Sequence, residues 1–187
     1  MATRERFFCT VVLITVILSG ASRVTGQTIE HVRTASPPLR GLIDDGLARS
    51  ETLRELVDRL NASDVVVYIS CGAIRSDSAL GFGGWLQFVS HASGVRYARA
   101  QLNCGLPHDR QIALLGHELR HAVEVAEAPE IVDVLSFGRY FAGHGFEVSE
   151  DMRHRTYETD AAQLAQRFVR RDLLDSAAGE HLAARDK

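Results

Sequence analysis

The sequence "LLGHELRHAVEVAEA", residues 114–128, decides how the rest of this chain is interpreted. The stretch favours helix, and His117 and His121 are four residues apart, so their side chains project from one face of that helix. Glu118 follows the first histidine and is rotated by about 100° round the helix axis. Two interpretations are open: an amphipathic helix that contains two histidines, or a helix that binds a metal ion.

The spacing of these residues suits metal-assisted hydrolysis. Two imidazole nitrogens one helical turn apart can bind the same zinc ion. A carboxylate at position 118 misses that ion and lies where a zinc-bound water would be. Zinc lowers the pKa of the water toward ~7, so the carboxylate can take its proton at neutral pH. The motif therefore predicts His117 and His121 as zinc ligands and Glu118 as the general base.

The N-terminal segment has the order of a secretory signal peptide. Arg4 and Arg6 precede the apolar run 7–18, and small residues follow it. This run is shorter than the ~20 residues that span a bilayer. We therefore predict a signal peptide at residues 1–26, a secreted or periplasmic location and no stable membrane span after cleavage. An uncleaved N-terminal membrane anchor is the alternative.

Charge and cysteine content narrow the classes of protein further. The formal net charge is −3 and the sequence has no dense basic cluster, so nucleic-acid binding is not expected. Cys71 and Cys104 are the two cysteines that follow the predicted signal peptide. Both stand at the ends of predicted strands, and export favours a disulfide between them over two buried thiols.

The 187-residue chain has room for one domain with its own core. Residues 27–38, which include Pro37 and Pro38, are predicted as an extended lead-in, and residues 39–187 as the domain. Apolar periodicity and turn residues predict, in order, a helix at 50–63 capped by Ser50, a buried strand at 64–70, a loop at 72–84, a hairpin at 85–104 that turns at 91–94, a helix from Pro107 to Pro129, a helix at 130–143 and a last helix from Tyr157.

This context favours the metal interpretation of the opening stretch. The motif lies in the middle of its predicted helix, a strand precedes that helix, and the chain is predicted to be exported. Gly116 fits as well, because a residue without a side chain lets another element approach closely.

Zinc needs a third protein ligand. Positions 124 and 127 are both glutamate, so the extended pattern HExxHxxGxxH is absent and the ligand must come from another element. The sequence "YETDAAQLAQRF", residues 157–168, opens the last predicted helix with Glu158 and Asp160.

The two motifs together resemble those of the gluzincin metallopeptidases. In that group an HExxH helix supplies two histidines, and a glutamate on a later helix supplies the third ligand. The second motif is similar to the E-x-E/D-A-x-x-x-A pattern of CAAX-protease-like and ImmA/IrrE-type zinc peptidases. The resemblance spans residues 95–170 in the order of elements. It implies a zincin-like fold with His117, His121 and Glu158 as zinc ligands and Glu118 as the general base.

One position departs from the resemblance. Gluzincins often have an aspartate four residues after the ligand glutamate, where it orients a histidine, and here that position is Ala162. Asp160 could replace this aspartate or could itself be the third ligand. Further candidates for the third ligand are His144, Glu147 and His154.

Neighbouring residues have less specific roles. Arg120 and Glu124 are four residues apart and are predicted to form a surface ion pair, with orientation of a zinc ligand by Glu124 as the alternative. Tyr157 or His154 could stabilise an oxyanion. Trp85 is predicted to lie in the core.

The strand before the HExxH helix has a functional interpretation as well. In zincin-type peptidases an edge strand binds the substrate backbone by β-augmentation, and residues 95–103 are in the position to do so. Alternatively, Arg96 and Arg99 would protect that edge against aggregation.

We therefore expect an α+β fold: a small twisted sheet with an edge hairpin, packed on the HExxH helix, with C-terminal helices behind it. The expected function is exported, zinc-dependent hydrolysis of peptide bonds in a peptide or protein substrate, by a zinc-bound water that Glu118 activates. Two alternatives are a non-catalytic metal- or peptide-binding domain with a degenerate peptidase site, and an amidase that acts on a non-peptide substrate such as cell-wall material.

Overall fold

The computed structural model describes residues 30–72, 83–148 and 155–185. The predicted signal peptide, most of the predicted loop at 72–84 and His154 lie outside this description. The elements, in chain order, are β1 (Val32–Arg33), α1 (Pro37–Arg49), α2 (Glu51–Asn61), β2 (Val65–Cys71), β3 (Gly84–Ala92), β4 (Val95–Leu102), α3 (His108–Glu127), α4 (Val134–His144), β5 (Phe146–Glu147), β6 (Tyr157–Glu158) and α5 (Asp160–Arg185). The expected α+β fold is confirmed: a mixed four-stranded sheet, a two-stranded hairpin of β5 and β6, and helices around α3.

Helix α3 forms the centre of the molecule. Its predicted apolar stripe is confirmed, because Ile112, Leu115 and Leu119 are fully buried between the sheet and the C-terminal helix α5. Gly116 permits the close approach of α5: a Cβ at this position would lie 2.6 Å from Cγ2 of Val169. The helix that contains the two histidines is therefore part of the core and not a surface helix.

The sheet has the strand order β1-β2-β4-β3. Its first three strands are parallel, and β3 runs antiparallel to β4. The predicted hairpin is confirmed, with Ser93 and Gly94 at positive φ values of 51° and 76° in the two-residue turn. Ala98, Ala100 and Leu102 of β4 face the core and alternate with more exposed residues.

The edge strand of this sheet differs from the prediction. The expectation that residues 95–103 form the edge is wrong, because β4 pairs with β2 on one side and with β3 on the other. Among the described residues, the strands at the two ends of the sheet are β1 and β3. A hairpin has two free sides, and only its pairing with a distant strand decides which side is covered.

Arg96 does not protect a sheet edge but is buried, with 3% of its surface exposed. Its guanidinium forms a bidentate ion pair with Asp64, at 2.6 and 2.8 Å. It also donates to the backbone oxygens of Val125 and Ala128, at 2.6 and 2.7 Å. Carbonyl groups at the end of a helix lack helical partners and form the negative end of its dipole. Arg96 therefore ties the sheet to the end of α3.

The predicted extended lead-in is only partly extended. Val32–Arg33 form β1 in the sheet, whereas Pro37 and Pro38 begin helix α1. A proline in the first helical turn lacks only an N–H group that has no helical partner there, so a proline pair fits a helix start as well as a linker. Three side chains of α1 contribute to the core: Leu39, Leu42 and Ile43.

The other predicted helices are confirmed with small shifts. The Ser50 side chain caps α2 by accepting a hydrogen bond from Leu53 N. Asp133 and Ser136 form a capping box at the start of α4, which ends at His144. Among the residues described, none of the helices combines the length and the hydropathy needed to span a bilayer.

Cys71 and Cys104 form the predicted disulfide, with their Cα atoms 5.6 Å apart. The bond joins the end of β2 to the segment that leads into α3. Because cytosolic thiols are kept reduced, the disulfide is consistent with an extracytoplasmic location.

Replacing both cysteines with serine is expected to lower the free energy of unfolding by about 4 kcal/mol, because the bond closes a loop whose ends are 33 residues apart. Denaturant-induced unfolding measures this loss. Reducing the unaltered protein should produce the same decrease, whereas reductant should leave the double variant unchanged. Equal stability of the oxidised protein and the double variant would contradict the prediction.

Candidate metal centre

Three side chains from two distant parts of the chain meet at one point: His117 and His121 from α3, and Glu158 from β6. Nε2 of His117 lies 3.1 Å from Oε2 of Glu158, and Nε2 of His121 lies 3.3 Å from Oε1 of the same carboxylate. All three residues are buried. One ligand atom from each lies within 4.8 Å of the others, so the group can hold one metal ion. It resembles an HExxH…E zinc site.

Glu158 reaches the histidines from a short hairpin that precedes α5. The last helix was predicted to begin near Tyr157, but it begins at Asp160, and Glu158 stands in strand β6, paired with Phe146 of β5. Gly145 makes this pairing possible, because a Cβ at that position would collide with the backbone oxygen of Glu158. The hairpin thus directs the carboxylate at α3.

Glu124 fixes the orientation of the His121 ring. Its Oε2 lies 2.9 Å from Nδ1 of His121, and its Oε1 accepts a hydrogen bond of 2.9 Å from Oγ1 of Thr159. Thr159 also donates its backbone N–H to Oε1 of Glu158, at 2.8 Å. Because Nδ1 of His121 is bonded to Glu124, its Nε2 faces Glu158. Glu124 therefore orients His121, whereas position 162, where the resemblance led us to look for an aspartate, is an alanine.

The predicted surface ion pair between Arg120 and Glu124 is wrong. Glu124 is buried, with 5% of its surface exposed, and Arg120 instead pairs with Glu127 at 3.2 Å. Position 124 lies one turn beyond His121 on the inward face of α3, because residues three and four apart share a helix face. The alternative, in which Glu124 orients a histidine of the site, is what the structure has.

Hydrogen bonds within this group shift the pKa values of His121 and Glu158 in opposite directions. Burial alone would lower the pKa of His121, but the hydrogen bonds with Glu124 and Glu158 outweigh it and raise the pKa to about 9. Burial would raise the pKa of Glu158, yet the hydrogen bonds from His117 and His121 lower it to about 2. Since a histidine must be deprotonated to bind a metal, a metal ion would compete with the proton on His121.

Glu118 lies beside the three side chains and is 1% exposed. Burial raises the pKa of its carboxyl group, while positive charge on His117 and His121 acts in the opposite direction. Within the described part of the chain, its Oε2 has no hydrogen-bond partner. Gly84 lets β3 approach the other oxygen, because a Cβ there would lie 2.6 Å from Oε1. The site therefore holds a buried carboxyl group directly beside the three possible ligands.

The group opens onto a cleft of about 460 Å³. Residues 84–88 of β3 form one wall and α4 forms another, while Tyr157, the candidate for oxyanion stabilisation, also lines the cleft. Trp85 is 51% exposed on the β3 wall, so the prediction that it lies in the core is wrong. It follows a glycine pair at the start of β3, and it lines the cleft instead of packing in the core.

Among the described residues, the other candidates for a third ligand do not join the group. Asp160 is exposed at the start of α5. His144 is bonded through Nδ1 to the backbone oxygen of Tyr140 and stacks on its ring. Glu147 is exposed on β5, and His154 lies outside the described residues.

Several residues of the site were not found from the sequence. Two of them had a signal in the sequence that could have indicated the site. Gly84 belongs to a pair of glycines before the hairpin, and Thr159 directly follows the candidate ligand Glu158. No sequence pattern linked α4 to the site, because its contact with β3 brings together distant parts of the chain.

Comparison with protein-family models, curated proteins and solved structures gives no match to this chain. The likeness to an HExxH…E zinc site is therefore a likeness of motif and local geometry.

Proposed function

We propose that the protein is an exported, zinc-dependent peptidase. The observation that carries this proposal is the convergence of His117, His121 and Glu158 beside the buried Glu118 at one cleft. Catalytic zinc sites have three protein ligands of this kind and keep a fourth position for water or substrate. The predicted signal peptide and the disulfide support the extracytoplasmic part of the proposal.

The distances within the group are compatible with zinc. With bonds of about 2.0–2.2 Å and tetrahedral angles, neighbouring ligand atoms lie roughly 3.3–3.5 Å apart. Nε2 of His117 and Nε2 of His121 lie 3.1 and 3.3 Å from two different oxygens of Glu158. One ligand atom from each residue lies within 4.8 Å of the others, so the atoms are close enough to share one ion after local adjustment. Calcium and magnesium prefer oxygen ligands, which makes a set with two imidazoles unsuitable for them.

When bound, zinc would supply the Lewis acidity that lowers the pKa of a water molecule and polarises the substrate carbonyl. The side chains of the protein itself would carry out the proton transfer. Glu118 accepts a proton as the water oxygen bonds to the carbonyl carbon, and returns it to the amine nitrogen as the carbon–nitrogen bond breaks. Burial raises the pKa of Glu118, which makes its carboxylate a stronger base toward the water. Tyr157 is our candidate donor to the carbonyl oxygen.

Strand β3 supports a peptide as the substrate. It stands at the end of the sheet, and its residues 84–88 line the cleft next to the metal-binding group. The outer side of such a strand can bind an extended peptide by β-augmentation. The substrate that we propose is therefore a peptide or an extended segment of a protein.

Incubation of the zinc-loaded protein with a peptide library, followed by mass spectrometry of the products, tests the proposal. We expect cleavage that stops when the chelator 1,10-phenanthroline is added and returns with excess zinc. Cleavage of cell-wall amides but of no peptide would replace the peptidase with an amidase. Zinc binding without hydrolysis of either substrate would favour the non-catalytic binding domain and refute the proposal.

Replacing Glu124 with glutamine is expected to weaken zinc binding by about 10–100-fold, because the neutral amide is a poorer partner for Nδ1 of His121. Competition with a zinc-sensitive dye measures the change in affinity. Glu127→Gln on the exposed side of the same helix is the matched control and should bind zinc like the unaltered protein. Equal affinity of the two variants would show that Glu124 does not orient the histidine of a metal site.

A further inference from the structure

We propose that the cleft selects substrates with a large apolar side chain, which lies between Gly138 of α4 and the phenylalanines beside His121. This inference rests on the proposed function and adds the substrate class to it. Gly138 is the residue that determines the size of the side chain accepted.

Three phenylalanines form a continuous aromatic wall next to the metal-binding group. The ring centroids of Phe88 and Phe137 are 6.3 Å apart, and those of Phe137 and Phe141 are 4.8 Å apart. The wall ends at the site itself, because the ring of Phe141 is 5.4 Å from that of His121. Since Phe88 and Phe141 are buried, the wall keeps its shape. It presents apolar surface to a side chain close to the bond that is cleaved.

Charged groups are unevenly distributed round the cleft. Among the described residues that line it, the carboxylates and the guanidinium are those of Glu118, Glu158 and Arg155, which lie on neither α4 nor β3. The α4 and β3 walls add the exposed apolar side chains of Val134 and Trp85 at 63% and 51% exposure. A charged side chain between these walls would lose hydration and find no charged partner on either wall, whereas an apolar one is stabilised by burial.

Gly138 provides the space for such a side chain. It lies in α4 and lines the cleft, and a Cβ at this position would meet no atom within 4 Å. Its small size is therefore not required by close packing, although glycine within a helix is destabilising relative to alanine. What the position provides is open volume in front of the aromatic wall.

The substitution Gly138→Leu tests this role, with Gly143→Leu as the matched control. Gly143 lies in the same helix and also has no atom within 4 Å of an added Cβ, but it does not line the cleft. Both variants should fold, because each adds a helix-favouring side chain where there is room. The library identifies the cleaved bond, and kcat/KM is then measured for peptide pairs with phenylalanine or alanine next to it.

The unaltered protein and Gly143→Leu should favour phenylalanine over alanine by at least about 10-fold, because a single methylene group in an apolar pocket already gives about 10–200-fold. Gly138→Leu should lose most of this preference, measured as the ratio of kcat/KM for the two peptides. Cleavage next to charged side chains, or an unchanged preference in Gly138→Leu, would overturn the inference while the peptidase stands.

A second measurement does not depend on hydrolysis. Titration with N-acetyl-L-phenylalaninamide should shift the ring-proton NMR signals of Phe137 and Phe141, whereas N-acetyl-L-alaninamide should not. Such shifts without cleavage of any peptide would refute the peptidase and keep the apolar subsite. Their absence together with the absence of cleavage would refute both.

Discussion

Replacing Glu118 with glutamine is expected to lower kcat by roughly 10²–10⁴-fold and to leave the zinc content unchanged. The amide has nearly the same shape, so it can occupy the narrow space beside Gly84 that the carboxyl group fills. It has no site that can accept the proton of water, and therefore only proton transfer is removed. The rate of peptide cleavage under saturating substrate, together with the metal content of the same sample, measures both quantities.

The control for this substitution is Glu127→Gln, which makes the same chemical change on the exposed side of α3 and should leave kcat unaltered. If Glu118→Gln retained full activity, another group would be the base and the proposed mechanism would fail. If it lost zinc as well as activity, Glu118 would have to take part in metal binding. These results separate a catalytic residue from a ligand.

Replacing His117 with alanine is expected to abolish zinc binding, from about one equivalent per chain to near zero. Two ligands then remain, and Glu158 keeps one of its two imidazole partners. The bound ion stabilises the folded state by about 4 kcal/mol when free zinc is at 1,000 times its Kd, so the variant should also lose the stabilisation by zinc. Elemental analysis of the purified protein and thermal unfolding with and without zinc measure these two effects.

The matched control is His108→Ala, which removes an exposed histidine that lies at the start of the same helix and pairs with Asp45. This variant should still bind zinc, and zinc should still raise its Tm. Elemental analysis must include iron, because two histidines and a carboxylate also bind ferrous iron. Retention of zinc by His117→Ala would refute the ligand set. One equivalent of iron in place of zinc in the unaltered protein would refute the proposed zinc-dependent hydrolysis.

The local pattern of the chain predicted much of the fold. Two strand-like runs around a turn signal identified the hairpin, helical spacing identified the apolar stripe of α3, and Ser50 marked the start of α2. These features depend on residues that are close in sequence, so a period of two or of 3.6 is enough to find them. The wrong predictions involve contacts over longer distances. Arg96 was placed at an edge because nothing near it in sequence shows that β2 would cover β4.

The site shows the same difference between what nearby residues determine and what contacts between distant residues determine. The sequence by itself determined that His117 and His121 share one helix face with Glu118 beside them, because helix geometry places residues four apart together. It also singled out Glu158, but together with four other candidates for the third ligand. Only the tertiary structure brought Glu158 rather than Asp160 to the histidines, through the short hairpin made possible by Gly145.

The tertiary structure alone also decided that Glu124 is buried against His121 and that α4 faces β3 across the cleft. The physical reason is that the role of a polar side chain depends on what surrounds it. The same glutamate forms an ion pair on a surface and orients a ring in a core, and its surroundings are set by packing between segments far apart in the chain.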